Sequence, residues 1–321
     1  MKTSVIILSY NNFNETTGPC LASLADDPSF SLWDVLIVDN ASDKATRKAL
    51  LEAQVKHPSI RIIFNELNMG YAGGNNAGIK SAIGTIIVLL NSDTQIPSGT
   101  IDNLAARFNQ NPKLGMVGPA TNSAGNGQSI WITEKTIEGI IKEGILYAKN
   151  CTSELIEIYR NDFHCVAISR HTIEATGLLD EGFGRGYYED FDYSMRVKQC
   201  GYNSCIDEDT FVYHQGSVSF KNTPKETKQL LKNNKERLLK KHGKTIKFEH
   251  ARDGNIAILK KYIELKKSGK SPSNYRISRR IQYALSQRPK GWTKRLIYLH
   301  QIQKLAGHFG IKIKIHKNWK L

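Results

Sequence analysis

Several polar side chains that could bind a ligand stand directly after short apolar runs of the sequence. They are Ser9, Asp39, Asn91 and Asp93. Ligands of parallel α/β sheets bind beyond the carboxyl ends of the strands, where such side chains would face them. Asp and Asn also begin turns, which explains any one of these residues without a ligand. Because several occur together and two of them are acidic, the pattern predicts a ligand site.

A second group of candidate residues lies further along the chain. Glu189 and Asp190 open a segment that reads as a helix over residues 190–200, in which Asp192 and Arg196 are spaced to form an i,i+4 ion pair. Acids in a first helical turn also complement the helix dipole, which is a competing explanation for Glu189 and Asp192. His214 follows a further apolar run, and a lone histidine there is most often a packed residue.

A glycine-rich segment spans residues 68–78, with the sequence NMGYAGGNNAG. Glycine permits positive φ and close approach to a ligand, and the segment reads as the opening of a helix whose N-terminus favours anions. Taken alone, such a glycine-rich segment is more often just a turn. No Gly-x-Gly-x-x-Gly follows the first apolar run and no P-loop motif occurs, so neither a dinucleotide-binding Rossmann domain nor a P-loop protein is indicated.

The elements that must position these residues alternate through the first half of the chain. Apolar runs lie at residues 5–10, 35–39, 60–64 and 86–90, and helical stretches at residues 14–24 and 46–55. Continuous apolar strands are buried on both faces, and strand–helix alternation is typical of α/β domains. The sequence therefore predicts an α/β fold with a mostly parallel sheet.

The charge of the chain is unevenly placed. The 321 residues include 45 Lys and Arg and 30 Asp and Glu, a formal net charge of +15. Residues 1–220 hold 17 basic and 25 acidic residues, a net charge of −8, whereas residues 221–321 hold 28 and 5, a net charge of +23. We therefore expect a catalytic or binding domain over residues 1–220 and a separate basic region over residues 221–321.

The basic region has helical periodicity. Its expected helices lie at residues 225–241, 255–267, 278–286 and 293–309. Residues 311–316 alternate between apolar and polar types, which predicts a short strand or a segment lying on a surface. No apolar run near residues 5–8 or 86–90 is long enough for a signal peptide or a membrane span, so we expect a cytoplasmic protein. The cysteines show no zinc-site or disulfide spacing.

The motifs in their order resemble glycosyltransferase family 2, whose members have a GT-A nucleotide-sugar-binding fold. The matching segments are SYNN at residues 9–12, VDNAS at 38–42, the glycine-rich segment at 68–78, LLNSDT at 89–94, GLLDEGF at 177–183 and YEDFDY at 188–193. The resemblance covers residues 3–220. It implies transfer of a sugar from a nucleoside-diphosphate sugar.

The resemblance implies a donor site and a metal site. The residues expected to bind the donor are Ser9, Tyr10, Asn11, Asp39, Gly70, Gly74, Asn75, Asn91 and Asp93. Asp39 would accept hydrogen bonds from the base or ribose. Asp93 is the last acid of the family's Asp-x-Asp metal motif, in which Asn91 replaces the first acid and adds no charge. His214 would complete a site for Mn²⁺ or Mg²⁺, which prefer oxygen ligands and bridge phosphates.

The resemblance also assigns the catalytic base. Asp190 would deprotonate the acceptor hydroxyl for direct, inverting attack on the anomeric carbon, with Glu189 beside it. The loop over residues 182–188 is suited to an acceptor sugar, and residues 121–160 are expected to shape the acceptor site. Trp131 is a candidate stacking platform there, and a half-buried packing tryptophan is the alternative.

The basic region calls for an anionic partner, and we expect the surface of an anionic membrane. Basic amphipathic helices lie on membranes rather than span them, with about 1 kcal/mol of attraction for each basic residue near the surface. This would place the enzyme peripherally on the cytoplasmic face, beside a glycan or lipid-linked acceptor. Nucleic acid is the alternative on charge alone, but no nucleic-acid module is recognisable and the acidic first half would repel phosphate.

Two function classes remain open. The first is an inverting, metal-dependent glycosyltransferase (hexosyl or deoxyhexosyl) of bacterial surface-polysaccharide synthesis. The second is a catalytically weak GT-A scaffold serving as a basic membrane- or nucleic-acid-binding adaptor, which Asn91 alone favours. A pyrophosphorylase would carry a glycine-rich loop after the first strand, and a processive synthase would carry membrane spans and a Gln-x-x-Arg-Trp motif; neither is present.

Overall fold

The computed structural model describes residues 2–109, 111–149, 152–216, 224–243, 246, 248 and 250–313. The strands are β1 (Thr3–Ser9), β2 (Asp34–Asp39), β3 (Arg61–Phe64), β4 (Ile86–Asn91), β5 (Thr94–Gln95), β6 (Leu114–Thr121), β7 (Ile156–Glu157), β8 (Cys165–Ser169) and β9 (Asn203–His214). The helices are α1 (Thr17–Ala25), α2 (Lys44–Lys56), α3 (Gly70–Ser81), α4 (Thr100–Ala106), α5 (Ile137–Ala148), α6 (Arg170–Thr176), α7 (Glu189–Gln199), α8 (Pro224–His242), α9 (Ala251–Lys267), α10 (Asn274–Ser286) and α11 (Trp292–Gly307). The predicted α/β fold with a helical C-terminal region is confirmed.

One mixed sheet organises the first part of the chain, in the order β3-β2-β1-β4-β8-β6-β9-β5, with β7 paired to β9. The predicted apolar strands β1 to β4 are parallel neighbours. Their register places Ser9 opposite Asp39 and Leu8 opposite Asn91. The polar strand ends therefore meet at one edge of the sheet, as the sequence predicts.

The strand order in the other half of the sheet could not be predicted from the local sequence pattern. β8 runs antiparallel to both β4 and β6, and β9 is parallel to β6 and antiparallel to β5 and β7. These pairings join segments that are distant in sequence, so apolar periodicity does not reveal them. They turn a parallel half-sheet into a mixed one and bring β9 back toward the end of β4.

Both faces of the parallel strands are buried, which explains their continuous apolar runs. Val5 and Ile7 pack with α1 on one face, and Ile6 packs with α3 on the other. Two glycines of α3 make this packing close: a Cβ on Gly74 would lie 2.3 Å from Leu8, and one on Gly78 would lie 2.5 Å from Ile6. Here glycine serves helix–sheet packing.

The four predicted C-terminal helices are present as α8 to α11, each within a few residues of its expected bounds. Residues 311–313 have no strand, and residues 314–316 lie outside the described part of the chain. α9 to α11 share an apolar core with strands of the first part: Ile258, Ile281 and Ile302 pack in one cluster with Ile156 of β7 and Ile206 of β9. None of the described helices is both long and apolar enough to span a membrane.

A buried ion-pair network joins the basic region to the sheet. Oε1 of Glu208, on β9, lies 2.5 Å from Nη2 of Arg280, and its Oε2 accepts a hydrogen bond from Tyr262 at 2.5 Å. Nη2 of Arg276 lies 2.8 Å from Asp209. Burial alone would raise the pKa of Glu208, but the two arginines hold it below its ordinary value. Part of the basic charge is therefore neutralised by acids of the first part of the chain.

Candidate active site

A cavity of about 710 Å³ opens at the carboxyl ends of β1 and β4. It is bounded on the far side by the loop before α7 and by residues of and after α8. The cavity-lining residues that the sequence predicted as functional are Tyr10, Asn11, Gly70, Asn91, Asp93, Glu189, Asp190 and His214. The strand-end residues and the acids of α7, which are far apart in sequence, thus face one space.

The pairing of β5 with β9 brings Asp93 and His214 together. Thr94 lies opposite His214, and the backbone N–H of Gln215 donates to the carbonyl of Asp93 at 2.9 Å. Nε2 of His214 lies 3.4 Å from Oδ1 of Asp93, and Nδ1 lies 2.8 Å from the carbonyl oxygen of Ser123. Nδ1 therefore carries the proton in the neutral ring, and Nε2 is left facing Asp93.

The electrostatics of this pair follow from its burial. The side chains of Asp93 and His214 are only 13% and 12% exposed. Burial alone would lower the pKa of His214, but hydrogen bonding and the charge of Asp93 raise it above its ordinary value. In the described part of the chain no group of three or more His, Cys, Asp or Glu side chains lies close enough to hold a metal ion. A cation here would need further oxygens from a bound ligand.

The loops after β1 and β2 hold each other at the cavity mouth. Asn11 and Asn12 have φ of 54° and 51°, which asparagine tolerates better than most residues. The N–H of Asn11 donates to Oγ of Ser42, and Oδ1 of Asn11 accepts from the N–H of Asp43. Asn40 is buried and its side-chain amide donates to the carbonyl of Gly70 at 3.1 Å.

Four of the predicted donor-binding residues do not line the cavity. They are Ser9, Asp39, Gly74 and Asn75. Oδ2 of Asp39 accepts from Nε of Arg47 at 2.9 Å, and the hydroxyl of Ser9 bonds that of Thr17 at 2.8 Å. The side-chain amide of Asn75 donates to the carbonyl of Tyr71 at 2.9 Å. These contacts and the packing of Gly74 give each residue a structural task. Their direct contact with a donor stays a prediction.

Glu189 occupies an unusual position at the start of α7. Its side chain is buried, and Oε2 has no hydrogen-bond partner among the described residues. Burial and the nearby charge of Asp190 raise the pKa of Glu189 to about 8. A carboxyl group in this state is a hydrogen-bond donor at neutral pH and faces the cavity.

Asp190 is paired with a residue that the sequence analysis did not single out. Nη1 of Arg160 lies 2.5 Å from Oδ2 of Asp190, and Oδ1 accepts the N–H of Phe191 at 2.8 Å. Burial raises the pKa of Asp190 above its ordinary value; Arg160 opposes this effect and the charge of Asp162 adds to it. Arg160 therefore orients the carboxylate and favours its ionised form.

The sequence analysis also did not identify Asp162 and His164. Asp162 accepts the N–H of Gly125 at 3.0 Å and lines the cavity. The ring of His164 stacks on that of His214 with centroids 5.1 Å apart, and in the described residues neither of its nitrogens has a hydrogen-bond partner. Burial lowers the pKa of His164. No local motif marks either residue, because the antiparallel insertion of β8 places them.

Of the other residues predicted for the acceptor side, some line the cavity and some do not. Residues 123–125 and Arg160 line the cavity, within the expected range 121–160. Trp131 is half-buried and does not line it. Asp192 and Arg196 form the predicted ion pair, with Nε 2.8 Å from Oδ2. Asp192 is fully buried, so its position is structural.

A mixed sheet with a cavity at the ends of its parallel strands, lined by an Asp–His pair and by acids of α7, is the arrangement that the GT-A fold of the sequence analysis leads us to expect. The family model described as glycosyl transferase family 2 matches residues 4–175. The chain belongs to glycosyltransferase family 2, and the resemblance seen in its motifs is confirmed.

Curated relatives are distant. The low-salt glycan biosynthesis hexosyltransferase Agl10 of Haloferax volcanii is 27% identical over 174 residues, covering 52% of this chain and 53% of its own. The uncharacterized glycosyltransferase YfnE of Bacillus subtilis is 24% identical over 260 residues, covering 67% and 65%. The chain thus spans less than two thirds of the length of either, and only 24% of the uncharacterized protein y4gI of Sinorhizobium fredii.

Solved structures show the same fold. The mannosyltransferase PcManGT of Pyrobaculum calidifontis, in complex with GDP-Man and Mn²⁺, has a TM-score of 0.55 at 16% identity and covers 95% of this chain and 80% of its own. GalNAc-T7 with UDP, GalNAc and Mn²⁺ has a TM-score of 0.57 at 16% identity and covers 74% and 48%. At this identity the likeness shows the fold alone.

Proposed function

We propose that this protein is an inverting glycosyltransferase. It would transfer a hexosyl or deoxyhexosyl group from a nucleoside-diphosphate sugar to a hydroxyl of a glycan or lipid-linked glycan, in bacterial surface-polysaccharide synthesis. One observation carries the proposal: Asp93 with His214, and Glu189 with Asp190, face the same cavity of about 710 Å³. The Asp93–His214 pair suits a metal–diphosphate group, and the Glu189–Asp190 pair suits an acceptor hydroxyl.

The donor would lie along the ends of β1 and β4. Tyr10, Asn11 and Asn40 line that side and offer an aromatic face, amides and backbone groups to a nucleoside. Gly70, with φ of 68°, begins α3 there, and a helix N-terminus favours the charge of a diphosphate. Asp39 would support this side indirectly, because its carboxylate oxygens already accept hydrogen bonds from Arg47 and from the N–H of Ser42.

A divalent cation fits the residues at the end of β4. A carboxylate oxygen of Asp93 and Nε2 of His214 face each other with the amide of Asn91 lining the same cavity. Mn²⁺ accepts such a mixed set of oxygen and imidazole ligands, and diphosphate oxygens would complete it. When bound, the cation would neutralise the charge that develops on the departing diphosphate.

Asp190 would act as the general base. Its carboxylate lies at the N-terminus of α7, is oriented by Arg160 and lines the cavity opposite the strand ends. In the reaction Asp190 would take the proton of the acceptor hydroxyl while the acceptor oxygen bonds the anomeric carbon and the bond from that carbon to the diphosphate breaks. Protonated Glu189 beside it could donate a hydrogen bond to a substrate oxygen.

The membrane contact that we propose involves the N-terminal part of α11. Trp292 and Ile297 are each 71% exposed, Leu296 is 37% exposed, and exposed Lys290 and Lys294 lie beside them. Exposed aromatic and aliphatic side chains among lysines suit an anionic lipid surface. We expect flotation with phosphatidylglycerol vesicles that Trp292→Ala with Ile297→Ala weakens. Equal flotation of the variant, or salt-sensitive binding to nucleic acid instead, would contradict this contact.

Two features favour the second function class, a catalytically weak scaffold acting as an adaptor. Asn91 stands where the family usually has an acid, and Oδ2 of Asp190 is already paired with Arg160. A scaffold of this kind would bind no nucleotide sugar productively. Asn91→Asp separates the two: it should strengthen manganese-dependent nucleotide binding in an enzyme and leave an adaptor unchanged.

The experiment that tests the proposed function is a screen of nucleotide sugars by thermal shift, with and without Mn²⁺. We expect one uridine, deoxythymidine or guanosine diphosphate sugar to raise the Tm in a manganese-dependent way, and Asp93→Ala to abolish the effect. Binding of none of them would contradict the proposal.

A further inference from the structure

A buried asparagine of α8 holds the loop in front of the candidate base. The side-chain amide of Asn234 donates to the carbonyl oxygens of Phe183 and Gly186 at 2.8 Å and of Tyr187 at 3.0 Å. Asn234 is 5% exposed. An amide group has two N–H donors, so all of them are committed to this loop, with one shared.

The loop that Asn234 holds, residues 183–188, has a backbone that needs support. Tyr187 and Tyr188 have φ of 71° and 75°, a left-handed conformation that side-chain-bearing residues rarely adopt. Tyr188 is also the N-cap of α7, so its conformation sets where that helix begins. The next residues are Glu189 and Asp190. The conformation of the loop therefore fixes the position of both acids.

Further contacts tie α8 to the elements on either side of this loop. Nη2 of Arg237 and Nζ of Lys241 lie 2.9 Å and 2.8 Å from the carboxylate of Asp180. Nζ of Lys241 and Nε2 of His242 each lie 2.7 Å from Oδ1 of Asp192. α8 is thus anchored on the segment before the loop and on the helix after it.

The basic region also forms part of the cavity wall. Leu231 of α8 and Phe248, which follows α8, line the cavity together with Tyr188. Phe248 lies edge-on to Tyr188 with centroids 6.2 Å apart. These residues lie beyond residues 4–175, which the family model matches.

We propose that α8 is a working part of the acceptor site and that Asn234 is a positioning residue for Asp190. The role of Asp190 as the base rests on the proposed function. The role of Asn234 in holding the loop rests on its hydrogen bonds alone. It gives the basic region a second task besides surface contact. Loss of the hydrogen bonds from Asn234 would displace Asp190, Tyr187 and Tyr188 while leaving the donor side of the cavity in place.

The test is hydrogen exchange on the full chain. In Asn234→Ala and in Asn234→Asp, whose carboxylate has no N–H to donate, we expect amides of residues 183–190 to exchange about tenfold faster than in the wild type. Amides of β4 should be unchanged. The matched control is Asn233→Ala, because Asn233 is exposed and its side chain accepts a hydrogen bond from Gln229 on the same helix.

A kinetic arm uses whichever nucleotide sugar the wild type hydrolyses. Misplacing a catalytic group by about 1 Å can cost on the order of 10²-fold, so we expect kcat to fall about 10–100-fold in Asn234→Ala with the donor KM within twofold of wild type. Unchanged loop exchange in both variants overturns the proposal. So does exchange that rises equally in β4, because Asn234 would then stabilise the whole fold. If the wild type neither hydrolyses nor transfers from any donor, the proposed function fails while the exchange result still decides whether Asn234 holds the loop.

Discussion

Nε2 of His214 lies 3.4 Å from Oδ1 of Asp93 because β5 pairs with the end of β9. The carbonyl of Ser123 binds the other ring nitrogen and fixes which one faces the carboxylate. The arrangement places a carboxylate oxygen and an imidazole nitrogen side by side in the cavity lining. It turns a histidine that reads as an ordinary residue in the sequence into the strongest candidate for a metal ligand.

The first prediction concerns that pair. Loss of a group that merely supports a metal ligand costs about 10–100-fold in affinity, so His214→Ala should raise the Mn²⁺ concentration needed for half-maximal activity by at least about tenfold. The measurement is a manganese titration of donor hydrolysis. His171→Ala, at an exposed histidine of α6, is the control. Full manganese-dependent activity in His214→Ala would remove this residue from the metal site.

The second prediction concerns the base. Asp190→Asn should fold and bind donor as the wild type does and transfer sugar about 10²–10⁴-fold more slowly, because loss of a general base has this cost. The measurements are steady-state kinetics and nucleotide binding. Asp26→Asn, at an exposed acid after α1, serves as the control. Near-normal turnover in Asp190→Asn would assign the base elsewhere.

The third prediction uses the buried carboxyl of Glu189, whose pKa is raised from 4.5 to about 8 by burial and then by Asp190. A raised acid pKa means that folding takes up a proton, so the protein loses stability as the pH rises from about 4.5 toward about 8. Glu189→Gln removes this loss. Its Tm should match the wild type near pH 5 and exceed it by more than about 3 °C near pH 8.5, the shift that roughly 1 kcal/mol produces in a large domain.

The control for this pH series is Glu174→Gln, at an exposed glutamate of α6. Its Tm difference from the wild type should not depend on pH. A Tm difference for Glu189→Gln that is the same at both pH values would show that Glu189 is ionised throughout.

The fourth prediction concerns the network that joins the basic region to the sheet. Arg280 is fully buried against Glu208, so Arg280→Ala leaves an uncompensated buried charge and should lower the free energy of unfolding by about 3–5 kcal/mol. Urea denaturation measures this change. Lys290→Ala, at an exposed site, should lower it by less than about 0.5 kcal/mol. Equal stability of the two variants would contradict the role of the network.

Much of the first part of the fold could be predicted from local pattern. The strands β1 to β4 are continuous apolar runs because both faces are buried, and their polar ends meet because parallel neighbours end at one edge. The start of α7 and its Asp192–Arg196 pair followed from helical spacing. The strands and the Asp192–Arg196 pair depend on residues that are near each other in the sequence, and the meeting of the strand ends follows from the general rule for parallel sheets.

The rest depends on contacts between distant segments. Arg160 reaches Asp190 only because β8, which follows it closely, inserts between β4 and β6. Ser9 bonds the hydroxyl of Thr17 and Gly74 packs against Leu8, and neither residue lines the cavity, so their contact with a donor stays a prediction.

The division expected at residue 220 stays a prediction. That position lies among residues 217–223, outside the described part of the chain. The basic charge that predicts a separate partner is partly consumed inside the molecule, by Arg276 with Asp209 and Arg280 with Glu208. Net charge counts the residues and does not reveal which of them are paired.

The most direct test of the account is donor hydrolysis by the purified protein with Mn²⁺, across a panel of nucleotide sugars and without acceptor. A glycosyltransferase site should release free sugar and nucleoside diphosphate slowly from one donor, and Asp93→Ala should abolish that release. We expect this loss to occur with the fold retained. Absence of hydrolysis and of transfer with every donor, or hydrolysis that persists in Asp93→Ala, would contradict it.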